Sequence, residues 1–211
     1  MNSHKAITIL GAGGHAKEVL DVLLSAGYTD IRFFDSYGPE ENNLLLGYPI
    51  LRTTHALRER LRHCPDFVIG VGKPILREKL TLEAEEYGGS ACSCIAPTAV
   101  ISDSEVSLEA GLNIMHQAFI SASTKIGEGS LINTGASIHH DVAVGRFAEV
   151  SPGARLLGGA SIGDYCRIGA NAAILPKVSL PDRVVVGAGA VVTKTWPAGT
   201  VLTGIPARPQ R

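Results

Sequence analysis

The sequence predicts a small α/β domain followed by a parallel β-helix. Three observations predict it. The second half repeats aliphatic residues every six positions, the first half alternates strand-like and helix-like segments, and the aromatic rings are concentrated in that first half. The 211 residues include 24 glycines, 54 Ile, Leu and Val together, and only 11 aromatics, seven of them within residues 1–91. A chain this apolar, with a formal charge of −1 and 18% charged residues, excludes intrinsic disorder. No cluster of Lys or Arg marks a nucleic-acid surface or an electrostatic membrane anchor. No apolar run approaches the roughly 18 residues of a transmembrane helix, and Met1 to Leu10 is too short for a signal peptide, so a cytoplasmic protein is expected. The four cysteines (Cys64, Cys92, Cys94, Cys166) then read as reduced thiols.

In the first half, Ala6 to Leu10 reads as a strand, and a helix from about His15 to Ala26 is stopped by Gly27. A second strand runs from Ile31 to Phe34 and leads into a polar loop. Next come a helix from about Thr54 to Leu61, a strand from Phe67 to Val71, and a helix opened by Pro74 and stopped by Gly88. This is the β-α-β alternation of a small parallel sheet covered by helices.

From Leu108, every sixth residue is Ile, Leu or Val through Val192, fifteen positions in succession. At this composition chance produces such a run on the order of once in a hundred million, so the period is structural. Four residues after each aliphatic sits a small or modest side chain, such as Ala118, Thr124, Ser130 or Ala136. Glycine recurs directly after the aliphatic, as at Gly127, Gly145, Gly163, Gly169 and Gly187, where tight corners are expected. Short strands that each stack one branched side chain inward leave no room for rings, which accounts for the aromatic deficit. Three hexads per triangular coil place residues 18 apart in columns, for about five coils from Ser102. The expected division is 1–91, 92–197 and a C-terminal tail, 198–211. The general preference for right-handed parallel crossovers points away from a left-handed winding, so handedness is not read from the period.

These hexads resemble the left-handed β-helix acyltransferases. The head Gly11-Ala12-Gly13-Gly14-His15-Ala16, with His139-His140-Asp141 in a later hexad, is similar to the subgroup that acetylates sugars. That subgroup includes the sialic acid O-acetyltransferase family and the UDP-amino-sugar N-acetyltransferase of bacillosamine synthesis. The resemblance spans nearly the whole chain and implies a left-handed winding and a homotrimer that uses acetyl-CoA. It further implies an active site between neighbouring β-helices and a small N-terminal domain that holds the nucleotide of the sugar donor.

Acyl transfer from a thioester needs a base to take a proton from the attacking amine or hydroxyl, and neutral imidazole suits this near pH 7. His140 with Asp141 beside it offers that pair, the carboxylate fixing the tautomer. The resemblance assigns the general base to His140 and the supporting acid to Asp141. His139, adjacent on an extended strand, is expected to project to the other side. One coil on, Gly158 leaves a gap through which a thioester can approach the backbone, its N–H facing the developing oxyanion; it also reads as a corner glycine. The resemblance carries acetyl-CoA contacts onto Glu149, Ala170 and Ala188, the last two being 18 apart in one column. Glu149 departs from the bacillosamine enzyme, which has histidine there. It lies half a coil from His140, so its contact with that site is expected from a neighbouring subunit. Asn133 matches an Asn near substrate in the family and reads equally as a corner amide bonding its own turn.

In the first domain, Gly11-x-Gly13-x-x-Ala16 with Asp35 nineteen residues later nearly matches a dinucleotide fingerprint. About 90 residues supply only half of such a fold, and no second catalytic domain remains for a dehydrogenase. The motif is therefore read as Gly13, Gly14 and His15 cradling a nucleotide-sugar at a helix N-terminus, with Asp35 and Ser36 nearby. Val71-Gly72-Lys73-Pro74 forms a second turn at the same edge, where Lys73 either meets a diphosphate or stays solvated. A zinc site is not expected, because adjacent His139 and His140 cannot both face one ion from an extended strand and Cys92-x-Cys94 is isolated. The tail Thr203-Gly204-Ile205-Pro206-Ala207-Arg208 resembles the terminal motif that lies near the coenzyme adenine in these enzymes, and Arg208 is either a phosphate contact or a solvated end. The expected activity is N-acetylation of a nucleotide-linked amino sugar. The alternatives are O-acetylation of a sialic acid type sugar and a non-catalytic nucleotide-sugar scaffold.

Overall fold

The computed structural model describes residues 5–37 and 43–210. The first domain runs β1 (Ala6–Leu10), α1 (Gly14–Ser25), β2 (Asp30–Phe34), β3 (Leu44–Leu45), β4 (Tyr48–Leu51), α2 (Thr54–His63), β5 (Asp66–Ile69), α3 (Pro74–Glu86) and β6 (Ser90–Ala91). The sheet order is β3-β4-β2-β1-β5-β6, and all neighbours are parallel except the hairpin β3-β4. That hairpin lies within what reads in sequence as loop; residues 38–42 of the loop, like residues 1–4 of the N-terminal stretch, fall outside the described residues. Ile7, Ile9 and Leu10 of β1 are wholly buried, and α1 covers the sheet with Ala16, Val19, Leu20, Val22 and Leu23. Helix α2 begins where Thr53 Oγ1 accepts the Ala56 N–H at 3.2 Å, and α3 begins at Pro74, whose fixed φ suits a first turn. The carboxyl ends of β1, β2 and β5 open onto one edge, where Gly11, Asp35 and Gly70 follow them.

Beyond β6, two-residue strands recur about every six residues from Cys94–Ile95 to Val191–Val192 and stack into three parallel sheets, the left-handed β-helix. Register is 18 residues, as in the column Ile120, Ile138, Leu156, Ile174, Val192, all fully buried. Truncating one of these to alanine is expected to cost about 2–5 kcal/mol. The helix starts two strands earlier than the period suggests. Ile95 pairs with Ile114 and Ile101 with Ile120, a 19-residue coil whose extra residue between Ile101 and Leu108 hides the repeat. The expected tail also contributes. Val201–Thr203 adds a further parallel rung beside Val185–Val186, Arg208–Pro209 folds back antiparallel on it, and Leu202 and Ala207 are buried.

The corners correct the reading of the glycines. Left-handed backbone recurs every sixth residue from Gln117 to Gly189, three positions after each aliphatic, and includes Ser123, Asp141, Phe147 and Tyr165. The glycines directly after the aliphatic are not in that conformation. They are needed because the next coil passes too close: a Cβ on Gly145 would lie 2.5 Å from the Gly163 carbonyl carbon, and one on Gly169 would lie 2.6 Å from the Ala188 nitrogen.

The α/β domain packs on the sheet whose outward residues include Asn113 and Leu131, both buried. Arg77 of α3, fully buried, ties the two bodies together. Its Nε donates to Gly129 O (2.7 Å), its Nη1 to Val71 O (2.8 Å) and its Nη2 to Asn113 Oδ1 (2.7 Å), while Asn113 Nδ2 donates to Ile69 O (3.0 Å). Burial away from water pulls its pKa down to about 9, the Glu149 carboxylate acting the other way. Tyr165 adds a hydrogen bond from its hydroxyl to Glu78 of α3 at 2.6 Å.

Candidate active site

His140 and Asp141 stand at the corner that follows strand Ser137–Ile138. The hexad turn holds Asp141 in the left-handed region (φ 61°), which a short acidic side chain tolerates, and its N–H donates to Ala122 O one coil back. Its Oδ2 lies 2.8 Å from His140 Nδ1, leaving Nε2 as the nitrogen free to act on a ligand. Both side chains are 65% exposed. His139 points elsewhere, its ring edge-on to Phe119 at 6.1 Å.

Gly158 lies one coil on in the same column, and the gap expected there for a thioester is not open. The vacancy above it is filled by the His140 ring: a Cβ there would sit 2.5 Å from both Cε1 and Nε2. The glycine therefore makes room for the imidazole to lie along the coil edge. Asn133 is buried, and its Oδ1 accepts the Thr134 N–H at 2.8 Å, the corner-amide arrangement.

Glu149 sits on the face that carries the α/β domain, two corners from His140. It pairs with Arg167 (3.2 Å), accepts from Ser151 Oγ (3.4 Å), and lies under Gly72 of the sheet edge. Ala170 and Ala188 follow the paired strands Arg167–Ile168 and Val185–Val186 of that same sheet, one coil apart.

At the carboxyl edge of the first sheet, a cavity of about 240 Å³ is lined by Gly11, Gly13, Phe34, Asp35, Ser36 and Val71 among others. Asp35 is held there by Arg52, whose Nη1 donates to both its Oδ2 and its carbonyl oxygen at 3.0 Å. Gly14 and His15 open α1 beside the cavity without lining it. The His15 ring is buried, with Nδ1 3.0 Å from Glu18, and burial lowers its pKa against the raising effect of that carboxylate. Lys73 lines a separate crevice, with Pro74, Ile75 and Lys79. Arg208 bonds the Ala207 carbonyl at 2.9 Å. The sequence reading missed Arg77 and Asn113, which hold the turn after β5 against the β-helix. One sign of their setting was visible: Leu131 is an aliphatic at an outward strand position, where Lys125, Arg155 and Arg167 are solvated.

Residues 6–83 match the PglD N-terminal domain family, and residues 159–194 match the hexapeptide repeat of succinyl-transferase. Along the whole chain the protein resembles the acetyltransferase domain of PglB from Neisseria gonorrhoeae, with 31% identity, 99% of this chain and 100% of that one covered, and a TM-score of 0.91. The chain belongs to the PglD-type hexapeptide-repeat sugar acetyltransferases. This acetyltransferase is also similar to perosamine N-acetyltransferase from Caulobacter crescentus, at 32% identity over 99% and 98% of the two chains with a TM-score of 0.92. That enzyme has been solved with CoA and GDP-perosamine in a variant with one histidine replaced by asparagine. The Neisseria domain has also been solved with acetyl coenzyme A. At 24% identity and a TM-score of 0.72, WeeI from Acinetobacter baumannii shares the fold with this acetyltransferase. No helix among the described residues is long and apolar enough to cross a membrane.

Proposed function

We propose that the protein transfers the acetyl group of acetyl-CoA to the amine of a nucleotide-linked amino sugar. The observation that carries this reading is the His140–Asp141 pair at 2.8 Å, with the free Nε2 laid over a residue that has no side chain. Acetyl-CoA supplies an acetyl group already activated as a thioester. His140 Nε2 takes the proton of the sugar amine as its nitrogen attacks, and passes a proton to the departing sulfur as the carbon–sulfur bond breaks. Asp141 holds the reacting tautomer and steadies the imidazolium between these two transfers. The Gly158 N–H faces the charge that builds on the carbonyl oxygen. The chain needs no acyl-enzyme, because direct attack requires only a base at the corner.

The pantetheine arm runs past the short side chains of Ala170 and Ala188, and Glu149 borders this channel. The nucleotide occupies the cavity at Gly13, Asp35 and Ser36, beside the turn of Gly14 and His15, and Asn133 shapes the corner before His140. The cavity lies in the α/β domain and Ala170 and Ala188 follow the sheet beneath that domain, whereas His140 stands on another edge of the prism. A homotrimer that sets the His140 edge of one subunit against the channel of its neighbour brings them together, in the cytoplasm where both small molecules are made.

The test is thiol release from acetyl-CoA against a panel of UDP-, GDP- and dTDP-linked amino sugars, with free sialic acid as the hydroxyl acceptor. Turnover confined to the amino sugars supports the proposal. Turnover with sialic acid alone replaces it by O-acetylation, and nucleotide binding with no thiol release from any acceptor replaces it by a scaffold.

A further inference from the structure

A second cavity, of about 510 Å³, opens between the first turn of α3 and the β-helix, next to the nucleotide cavity and on a different edge of the prism from His140. Four cations line it: Lys73 and Lys79 from the α/β domain, Arg167 and Arg183 from the β-helix. We propose that this crevice is a second anion site that takes a nucleoside phosphate.

The charge is local, since the chain as a whole carries −1. Lys73, Lys79 and Arg183 enter no ion pair among the described residues, while Arg167 shares the Glu149 carboxylate at 3.2 Å. Glu78, the acid next to Lys79, accepts the Tyr165 hydroxyl at 2.6 Å. Surplus positive charge between two rigid bodies favours a compact polyanion over a single carboxylate. The N-terminus of the thirteen-residue α3 adds partial positive charge at the same mouth, where Lys73 occupies the cap position without a side-chain capping bond.

The floor accounts for the nucleoside. Ile75, Leu76 and Val185 give it an apolar surface, and Ile75 is 58% exposed there, unusual beside so many charges. The Arg183 guanidinium lies over the Tyr165 ring, 5.3 Å from its centroid, so a cation and an aromatic face meet where a base can rest. A volume of this order suits a nucleotide better than inorganic phosphate. Leu76 lines both this crevice and the cavity at Gly13 and Asp35, so the two are separated by one side chain of α3. Tyr165 and Arg183 share the corner column of Gly129 and Phe147, a different edge of the prism from His140 and Gly158.

Two sources supply this chemistry, a free nucleotide and the adenosine diphosphate end of a coenzyme. Titration calorimetry and co-crystallisation of the full chain with UDP, GDP and adenosine 3′,5′-diphosphate, each alone, distinguish them. One of the three is expected in the crevice, with its affinity there falling roughly tenfold in Arg183→Glu and in Lys79→Glu. Occupancy by adenosine 3′,5′-diphosphate assigns the site to the coenzyme end, and occupancy by UDP or GDP to free nucleotide. Both variants are expected to keep the KM for sugar nucleotide. A crevice empty with all three probes, or affinities unchanged in both variants, overturns the proposal. Binding in the crevice by a chain that releases no thiol overturns the catalytic reading and leaves this one standing.

Discussion

The corner at His140 and the junction at Arg77 are built in opposite ways. The corner consists of consecutive residues of one hexad and a glycine one coil on, and its two functional side chains are 65% exposed. The junction gathers Arg77, Asn113, the Gly129 carbonyl and the Val71 carbonyl from two domains, and the arginine has no exposed surface. On the proposed mechanism, chemistry is carried where a side chain can be lost without loss of fold, and stability where it cannot. Replacing Arg77 with Met is the most damaging way to test this contrast. It leaves two carbonyls and an amide oxygen buried without a donor, and is expected to cost about 3 kcal/mol or more, read as a fall in Tm. Arg77→Lys is expected to recover only part, because an ammonium cannot serve three acceptors in a planar fork.

The converse holds at the corner. His140→Ala is expected to lower kcat roughly 10²-fold or more while Tm stays at the wild-type value, since no buried contact is lost. A variant that retains near-wild-type turnover would sink the assignment of the base, and one that melts early would erase the contrast with Arg77.

Gly158→Ala is a finer probe of the same corner. Its backbone is not in the left-handed region, so alanine fits the chain, yet the new methyl group lies 2.5 Å from the imidazole. The ring has to swing off the coil edge, and displacements of that size are expected to lower kcat by roughly 10-fold with Tm nearly unchanged. If turnover is unaffected, the His140 ring does not work from the position above Gly158.

The two regions also differ in how far they could be read from sequence. A six-residue period survives any inspection that looks for it, because each of fifteen positions repeats the same physical demand for a branched inward side chain. The corner inherited that clarity: once the hexad phase was set, His140 and Gly158 fell 18 residues apart. What the period did not convey was which turn position needs left-handed backbone, since Ser123, Asp141, Phe147 and Tyr165 adopt it without being glycine. The first coil was masked by one extra residue. The junction has no period at all. Arg77 sits on a helix whose sequence is consistent with solvent, and only the packing of two domains turns it inward. Lys73 follows the same sheet edge in the chain, and the structure sets it in the neighbouring crevice.

His15 takes the interior side of the contrast to the level of a proton. The His15 ring is 12% exposed, and its lowered pKa comes mainly from burial, with Arg77 acting in the same direction and Glu18 and Glu149 opposing. A histidine held neutral by folding takes its proton more readily in the unfolded chain. The sign follows: as pH falls through the ordinary value of 6.5, the unfolded state binds the proton first and the folded state loses stability relative to it. Above that pH the effect vanishes. His15→Gln removes the group, so the fall in Tm between pH 7.5 and pH 5.5 is expected to be shallower than in the parent. Equal slopes in His15→Gln and the parent would mean that the buried ring is not held neutral, and burial would then not set the proton affinity of this interior histidine.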